Sequence, residues 1–287
     1  MSGGISGGAR PVGRRGSRIL SGPPLADLHC HLVPGVDDGA ESVESALEAL
    51  RTFRDSGVRR VVTTPHLDAG HVDSPRRARI EGAFSQLAEA AAREVPEIEL
   101  GLSYEVRIDD PEVSLADPTL GLAGGGALLV EFPQLSLPAY SDRMLEIVTD
   151  QGWKPVLAHP ERYTGILQAY GWIERWRDMG VVMCVNVGSL LGEHGREAEQ
   201  VVRRMLAAGH ADIMGSDHHA RPHRSTLLRV GYDTFTAEAD PTFEEVARYL
   251  VSTNPRALLD GDFLSPVPPV EFPAGWLSRL GRKFRGG

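Results

Sequence analysis

Residues 26–39 read Ala-Asp-Leu-His-Cys-His-Leu-Val-Pro-Gly-Val-Asp-Asp-Gly. Asp27, His29 and His31 alternate with Leu28 and Cys30. Along a strand successive side chains point to opposite faces, so the two histidines share one face and Cys30 takes the other. Two imidazoles one pleat apart can grip a single metal ion, and proteins spend histidines this way mainly on metals or acid–base work. The loop that follows brings a carboxylate pair, Asp37-Asp38, to the same mouth.

From Leu25 onward short apolar runs alternate with amphipathic stretches, the pattern of parallel βα units. The first helix starts after Ser42, an N-cap, with Val43, Ala46, Leu47, Leu50 and Phe53 on one face and Gly57 closing it. A strand over 59–64 leads to His66. Pro75 then opens a helix that runs to about residue 94. Further strands are expected over 98–106, 127–132, 154–159, 181–187 and 212–217, with helices near 140–151, 170–179 and 196–208. Two more helices close the body near Asn254-Pro255. About seven strands, each followed by a helix or loop, predict an α/β fold: a single-domain, closed or nearly closed β/α barrel.

The 287 residues, 41% hydrophobic and 24% charged, suit a soluble globular body. No apolar run reaches the roughly 18 residues of a membrane span. The first twenty residues lack the apolar core of a secretory signal, so a cytoplasmic location is expected. Cys30 and Cys184, the only two cysteines, give no disulfide framework. Residues 1–24 read as a disordered basic arm with four arginines, 25–265 as the functional body, and 266–287 as a Pro-rich then basic amphipathic tail. With +4 on the arm and +3 on residues 271–287, the net charge of −9 leaves −16 on the body. Such a body argues against a broad nucleic-acid surface and suits a site that gathers cations. In the tail, Trp276, Leu277, Leu280 and Phe284 fall at helical spacing among cations, the pattern of a short helix on an anionic membrane face.

The polar residues fall in one place. His29 with His31, His66, Glu105, Glu131, His159, and Asp217 with His219 stand at the carboxyl ends of six expected strands, where β/α barrels build their sites. Glu and Asp are seldom buried unless paired or metal-bound, and here they follow apolar runs. With Asp38 there are nine candidate ligands, too many for one ion and suited to two or three. Mixed imidazole and carboxylate donors without thiolate suit Zn, Mn or Fe. Closely spaced ions of this kind serve hydrolysis, most naturally of phosphate esters. Arg162, after His159, and Arg221 and Arg224, after His219, offer the planar fork that suits phosphate. A thiol phosphatase is excluded, because the residues six past Cys30 and Cys184 are Val36 and Leu190 rather than arginine. No nucleotide-binding glycine fingerprint is present. Of the other histidines, His71, His194 and His210 read as solvated loop residues, and His218 and His223 as lining the mouth.

Several stretches together resemble the PHP (polymerase and histidinol phosphatase) superfamily: Asp-Leu-His-Cys-His-Leu-Val-Pro-Gly-Val-Asp-Asp-Gly-Ala, Thr-Thr-Pro-His, Tyr-Glu-Val, Leu-Val-Glu-Phe, Leu-Ala-His-Pro-Glu-Arg-Tyr, Gly-Ser-Asp-His-His and Asn-Pro-Arg-Ala-Leu-Leu. Within it they are most similar to the bacterial manganese-dependent protein-tyrosine phosphatases of capsule and exopolysaccharide clusters (CpsB/YwqE type). The resemblance implies a distorted (β/α)7 TIM-like barrel with three metals, manganese first among them and Fe, Zn or Co as alternatives. His29, His31, Glu105 and Asp217 would hold one ion. Glu105, Glu131 and His159 would hold a second, and Asp38, His66 and His219 a third. It further implies a metal-bridging hydroxide as nucleophile, and phosphate bound by Arg162 and a second arginine. Spacing favours Arg224 for that second arginine; the Arg-Pro context favours Arg221. Tyr104 departs from the family, which commonly has a small residue or Gln before the bridging Glu.

The expected activity is a phosphotyrosine phosphatase acting on a membrane-associated tyrosine kinase that controls polysaccharide export, held at the inner face of the membrane by its tail. The rivals are a small-molecule phosphomonoesterase of the superfamily, such as one for histidinol phosphate, and a non-catalytic metal-binding regulatory module.

Overall fold

The structure, a computed structural model, describes residues 22–72, 74–220, 227–273 and 275–276. Among the described residues nine strands run β1 (Leu25–Asp27), β2 (Val58–Thr63), β3 (His66–Asp68), β4 (Glu99–Leu102), β5 (Glu105–Arg107), β6 (Ala127–Glu131), β7 (Lys154–Ala158), β8 (Val182–Asn186) and β9 (Ile213–Gly215). Between and after them lie α1 (Val43–Asp55), α2 (Pro75–Glu94), α3 (Ser141–Asp150), α4 (Gly171–Asp178), α5 (Val187–Leu190), α6 (Gly195–Ala207), α7 (Leu228–Thr236), α8 (Pro241–Arg248) and α9 (Asn254–Asp260). Among the described residues, no helix is long and apolar enough to cross a membrane.

The local physics matches the sequence closely. Ser42 caps α1 through a reciprocal bond with Ser45, and Ala46, Leu47, Leu50 and Phe53 form its buried face. Gly57, at φ 93°, turns the chain back into β2. Pro75 opens α2. The central strands β6 and β8 are buried at every residue, as parallel strands covered on both faces must be.

All strand pairs are parallel, in two sheets ordered β1-β2-β4 and β3-β5-β6-β7-β8-β9. One expected strand is interrupted, the third dividing into β4 and β5, and a further short strand, β3, begins at His66, just past the end of the second. Pro65 lies at the break and has no N–H to give to the neighbouring strand, so a rung is missing there. Backbone bonds resume on either side of it, from Ser103 N–H to Thr63 O at 3.0 Å and from Glu105 N–H to Pro65 O at 3.1 Å. The last strand returns to the first. Asp217 N–H donates to His29 O at 2.8 Å, and His31 N–H to His218 O at 2.8 Å.

The chain after residue 265 packs on the body as far as it is described. Val267, Val270 and Trp276 are buried. The Trp276 ring lies 4.7 Å from Phe272 and 6.3 Å from Phe235, centroid to centroid. Trp276 is thus not on a lipid-facing stripe: its apolar surface is already covered by α7 and by the tail itself. Leu277, Leu280 and Phe284 lie outside the described residues, as do residues 1–21 of the basic arm.

Candidate metal centre

Three backbone devices bring the His29 and His31 face to its position. Asp27 Oδ1 accepts from His29 N–H at 3.3 Å and from Ser216 N–H at 3.2 Å, tying the first strand to the last. Burial pushes the Asp27 carboxyl up to about 6 against those bonds. Gly215 passes so close that a Cβ there would lie 2.7 Å from His29 Cβ. Gly39 does the same over His31, where a Cβ would meet the carbonyl oxygen at 2.2 Å. Cys30 points the other way, its Sγ 3.7 Å from Val62 O.

Glu105 is the hub. Its Oε1 lies 2.8 Å from His159 Nε2 and 3.3 Å from His29 Nε2; its Oε2 lies 3.1 Å from His66 Nδ1 and 3.3 Å from His31 Nε2. Glu131, ending β6, places Oε1 3.0 Å from His66 Nδ1 and Oε2 3.9 Å from His159 Nε2. Asp217 turns Oδ1 toward His29, His31 and His219 at 3.6, 3.5 and 3.6 Å. Asp38, half exposed at the mouth, lies 3.4 Å from His219 Nε2 and 3.6 Å from His66 Nε2. All nine candidate ligands from the sequence therefore meet in one pocket. His159 and Asp217 reach it through left-handed backbone, at φ 35° and 52°, conformations that cost about 1–3 kcal/mol each and cluster at functional sites.

The donor set fits divalent cations. Donor atoms of His29, His31 and Glu105, of His66, Glu105 and Glu131, and of His31, Asp38, His66 and His219 each lie within 4.8 Å of one another. The buried His29 Nε2, His31 Nε2, His66 Nδ1 and Glu105 Oε2 make no hydrogen bond among the described residues. Buried polar atoms are normally satisfied, so nitrogen and oxygen atoms converging without bonds mark a place for an ion. These groupings overlap the implied ones without coinciding: Asp217 is not in the first, His66 rather than His159 stands beside Glu105 and Glu131, and His31 joins Asp38, His66 and His219.

The electrostatics agree. Burial would lower His66, but Asp38, Glu105 and Glu131 outweigh it and lift the imidazole to about 11. His31 is likewise raised against its burial, by Asp217, Asp37 and Glu105. Burial raises Glu105 and Asp217, yet the surrounding imidazoles, His29 first, hold both well below the usual carboxylate range. The pocket demands positive charge, and a cation would take over from the protons.

Two contributors, Arg107 and Asn186, escaped the sequence reading, and Asp37 was placed at the mouth without a role. Asp37, the neighbour of the chosen Asp38, sets Oδ2 2.9 Å from His31 Nδ1 and accepts from His66 N–H at 3.2 Å. Arg107, two residues beyond Glu105, donates to Glu131 at 3.2 Å and to Asp68 at 2.6 Å. Asn186 ends β8, an apolar run closed by a polar residue, and donates to Asp217. Arg162 Nη1 lies 2.6 Å from Asp217 Oδ2. Arg221, Arg224 and His223 lie outside the described residues.

The remaining histidines are partly corrected. His71 is exposed and pairs with Asp68 at 3.3 Å. His194 is held by Ser189 at 2.8 Å and His210 stacks on Tyr170, so neither is free in solvent. His218 is buried and packs edge-on against Phe53, where burial and then the His219 charge lower it to about 4.

The model of the capsular polysaccharide synthesis family CpsB/CapC matches residues 25–260. CapC of Staphylococcus aureus is 27% identical over 252 residues, spanning 86% of this chain and 96% of that one. The tyrosine-protein phosphatase YwqE of Bacillus subtilis is 27% identical over 247 residues, spanning 85% and 95%. A solved structure from a pair described as metal-dependent tyrosine phosphatases, YwqE from Bacillus subtilis and CpsB from Streptococcus pneumoniae, superposes with a TM-score of 0.73. It shares 26% identity and covers 86% of this chain and 100% of its own.

Proposed function

The chain belongs to the capsular polysaccharide synthesis family CpsB/CapC, and we propose that it is a metal-dependent tyrosine-protein phosphatase. The observation that carries this is the convergence of four imidazoles, His29, His31, His66 and His159, on Glu105, with the Arg162 guanidinium on the neighbouring Asp217. His29, His31, Glu105 and Asp217 would hold one cation, Glu105, Glu131 and His159 a second, and Asp38, His66 and His219 a third, with manganese the expected metal. Divalent ions in such a site supply Lewis-acid charge and acidify water to near neutral pKa.

The chain's own residues do the rest. Asp37 orients His31, and Arg107 holds Glu131. Arg162 offers its fork to a phosphate, joined by Arg224 or Arg221. Burial of the carboxylates concentrates their charge on the cations rather than on solvent. The two sheets, bridged by the bonds between residues 29–31 and 217–218, are read as one distorted seven-stranded barrel. The kinase that controls polysaccharide export is the proposed substrate, and the cytoplasmic face of the membrane the proposed place. Arg279, Arg282, Lys283 and Arg285 would supply the contact with anionic lipid.

The test is phosphate release from a phosphotyrosyl peptide and from histidinol phosphate, with manganese and with chelator. Manganese-dependent release from the peptide is expected. Release from histidinol phosphate alone would make the chain a small-molecule phosphatase, and none from either would favour a binding module.

A further inference from the structure

We infer that Asn186 is a positioning residue for Asp217: its side-chain amide keeps that carboxylate aimed into the metal centre while Arg162 engages a substrate phosphate. The inference rests on the phosphatase reading of the site.

Asp217 lies just past a strand of three residues, in left-handed backbone tied by its N–H to His29 O, and its side chain is aimed by the partners of its two oxygens. Its Oδ1 faces His29, His31 and His219. Its orientation therefore depends on what holds Oδ2. Two donors do: Arg162 Nη1 at 2.6 Å and Asn186 Nδ2 at 2.9 Å. Arg162 has a second task, because a phosphate arriving beside Asp217 would compete for the same guanidinium. Asn186 has none. It is fully buried, with no surface open to solvent.

Asn186 is itself held firmly. Its N–H donates to Glu161 Oε1 at 3.0 Å, and Glu161 is buried in the turn that carries His159 and Arg162. Asn186 also pairs in register with Gly215, two residues before Asp217. One rigid strand end thus joins the turn bearing Arg162 to the turn bearing Asp217.

The chemistry of the donor matters. A second guanidinium or ammonium on Oδ2 would cancel the charge that Asp217 offers a cation. An amide orients the carboxylate without neutralising it. The amide is costly here, since its Oδ1 is buried and makes no hydrogen bond among the described residues. A leucine of similar size would avoid that cost but would lack the N–H that Asp217 uses.

The experiment compares wild type, Asn186→Leu, Asn186→Ser and Arg162→Ala as full-length chains. Manganese affinity is measured calorimetrically after chelator treatment, and kcat and KM on a phosphotyrosyl peptide. Losing an outer partner of a metal ligand typically costs about 10–100-fold in metal affinity. Asn186→Leu should weaken manganese by that factor and lower kcat at saturating metal, leaving KM near wild type. Arg162→Ala should do the reverse, raising KM while manganese affinity stays near wild type. Asn186→Ser shortens the side chain yet keeps a polar group and the backbone bond to Glu161. It should resemble the leucine variant, and it carries the test if that variant does not fold. Wild-type manganese affinity in both Asn186 variants would overturn the inference while leaving the phosphatase reading standing. A wild-type chain that takes up no manganese would overturn both.

Discussion

Asp37 Oδ2 lies 2.9 Å from His31 Nδ1, on the side of the ring away from Glu105, and so fixes which nitrogen His31 turns toward the centre. Metal-binding histidines typically rely on such a carboxylate. Asp37→Ala should therefore weaken manganese binding by about 10–100-fold, although Asp37 is not itself a ligand candidate. Titration of the chelated protein with manganese checks this. Unchanged affinity would mean that His31 is oriented by something else.

Protons and cations compete for the same imidazoles. With His66 raised to about 11 and His31 raised as well, the metal-free pocket is protonated near neutrality. A raised histidine stabilises the fold below its unfolded value of roughly 6.5, and that contribution is lost as pH climbs through the folded value. The metal-free protein should thus lose this contribution as pH rises toward 11. Manganese, which requires neutral imidazoles, should bind more tightly over the same rise. The manganese-induced increase in Tm is expected to be larger at pH 9 than at pH 6. Equal shifts at the two pH values would contradict the assignment.

Gly215 is required by contact rather than by conformation. A Cβ there would sit 2.7 Å from His29 Cβ and 3.4 Å from Cys184 Sγ. Gly215→Ala should destabilise the metal-free protein by about 1–3 kcal/mol through overpacking, and should displace His29 enough to reduce metal uptake. Denaturant midpoints with chelator, followed by metal analysis, separate the two effects.

The end of the described chain is structural. Trp276 is packed among Phe235, Phe272 and the Arg203 guanidinium, and replacing a buried Trp by Ala commonly costs about 3–5 kcal/mol. Trp276→Ala should lower the unfolding midpoint accordingly without changing KM for a phosphotyrosyl peptide. Removing residues 277–287 should instead leave the midpoint unchanged and reduce binding to anionic liposomes. A midpoint that ignores Trp276→Ala would show that the segment is not docked.

Much of this site was legible because strands report their ends. Apolar runs closed by His or an acid located His66, Glu131, His159 and Asp217, and the alternation around Cys30 placed His29 and His31 on one face. What stayed hidden depends on partners distant in sequence. Nothing local distinguishes Asp37 from Asp38; only the fold decides that the first backs His31 and the second faces His219. Asn186 closes β8 as the histidines close their strands, but a lone amide carries no metal signal until Asp217 is seen beside it. The break at Pro65 was readable in principle, since proline cannot complete a parallel ladder. Docking of Trp276 was not, because an amphipathic stretch has the same spacing whether it meets lipid or the protein's own aromatic cluster.

The most direct measurement is metal analysis by plasma mass spectrometry of the purified chain and of Glu105→Gln, after incubation with manganese and removal of free ion. Two to three ions per wild-type chain are expected, in keeping with the roughly three protein ligands of a catalytic ion, with a marked loss in Glu105→Gln. A wild-type chain that retains no metal, or a Glu105→Gln chain that retains as much, would contradict the assignment of Glu105 as the hub of a metal centre.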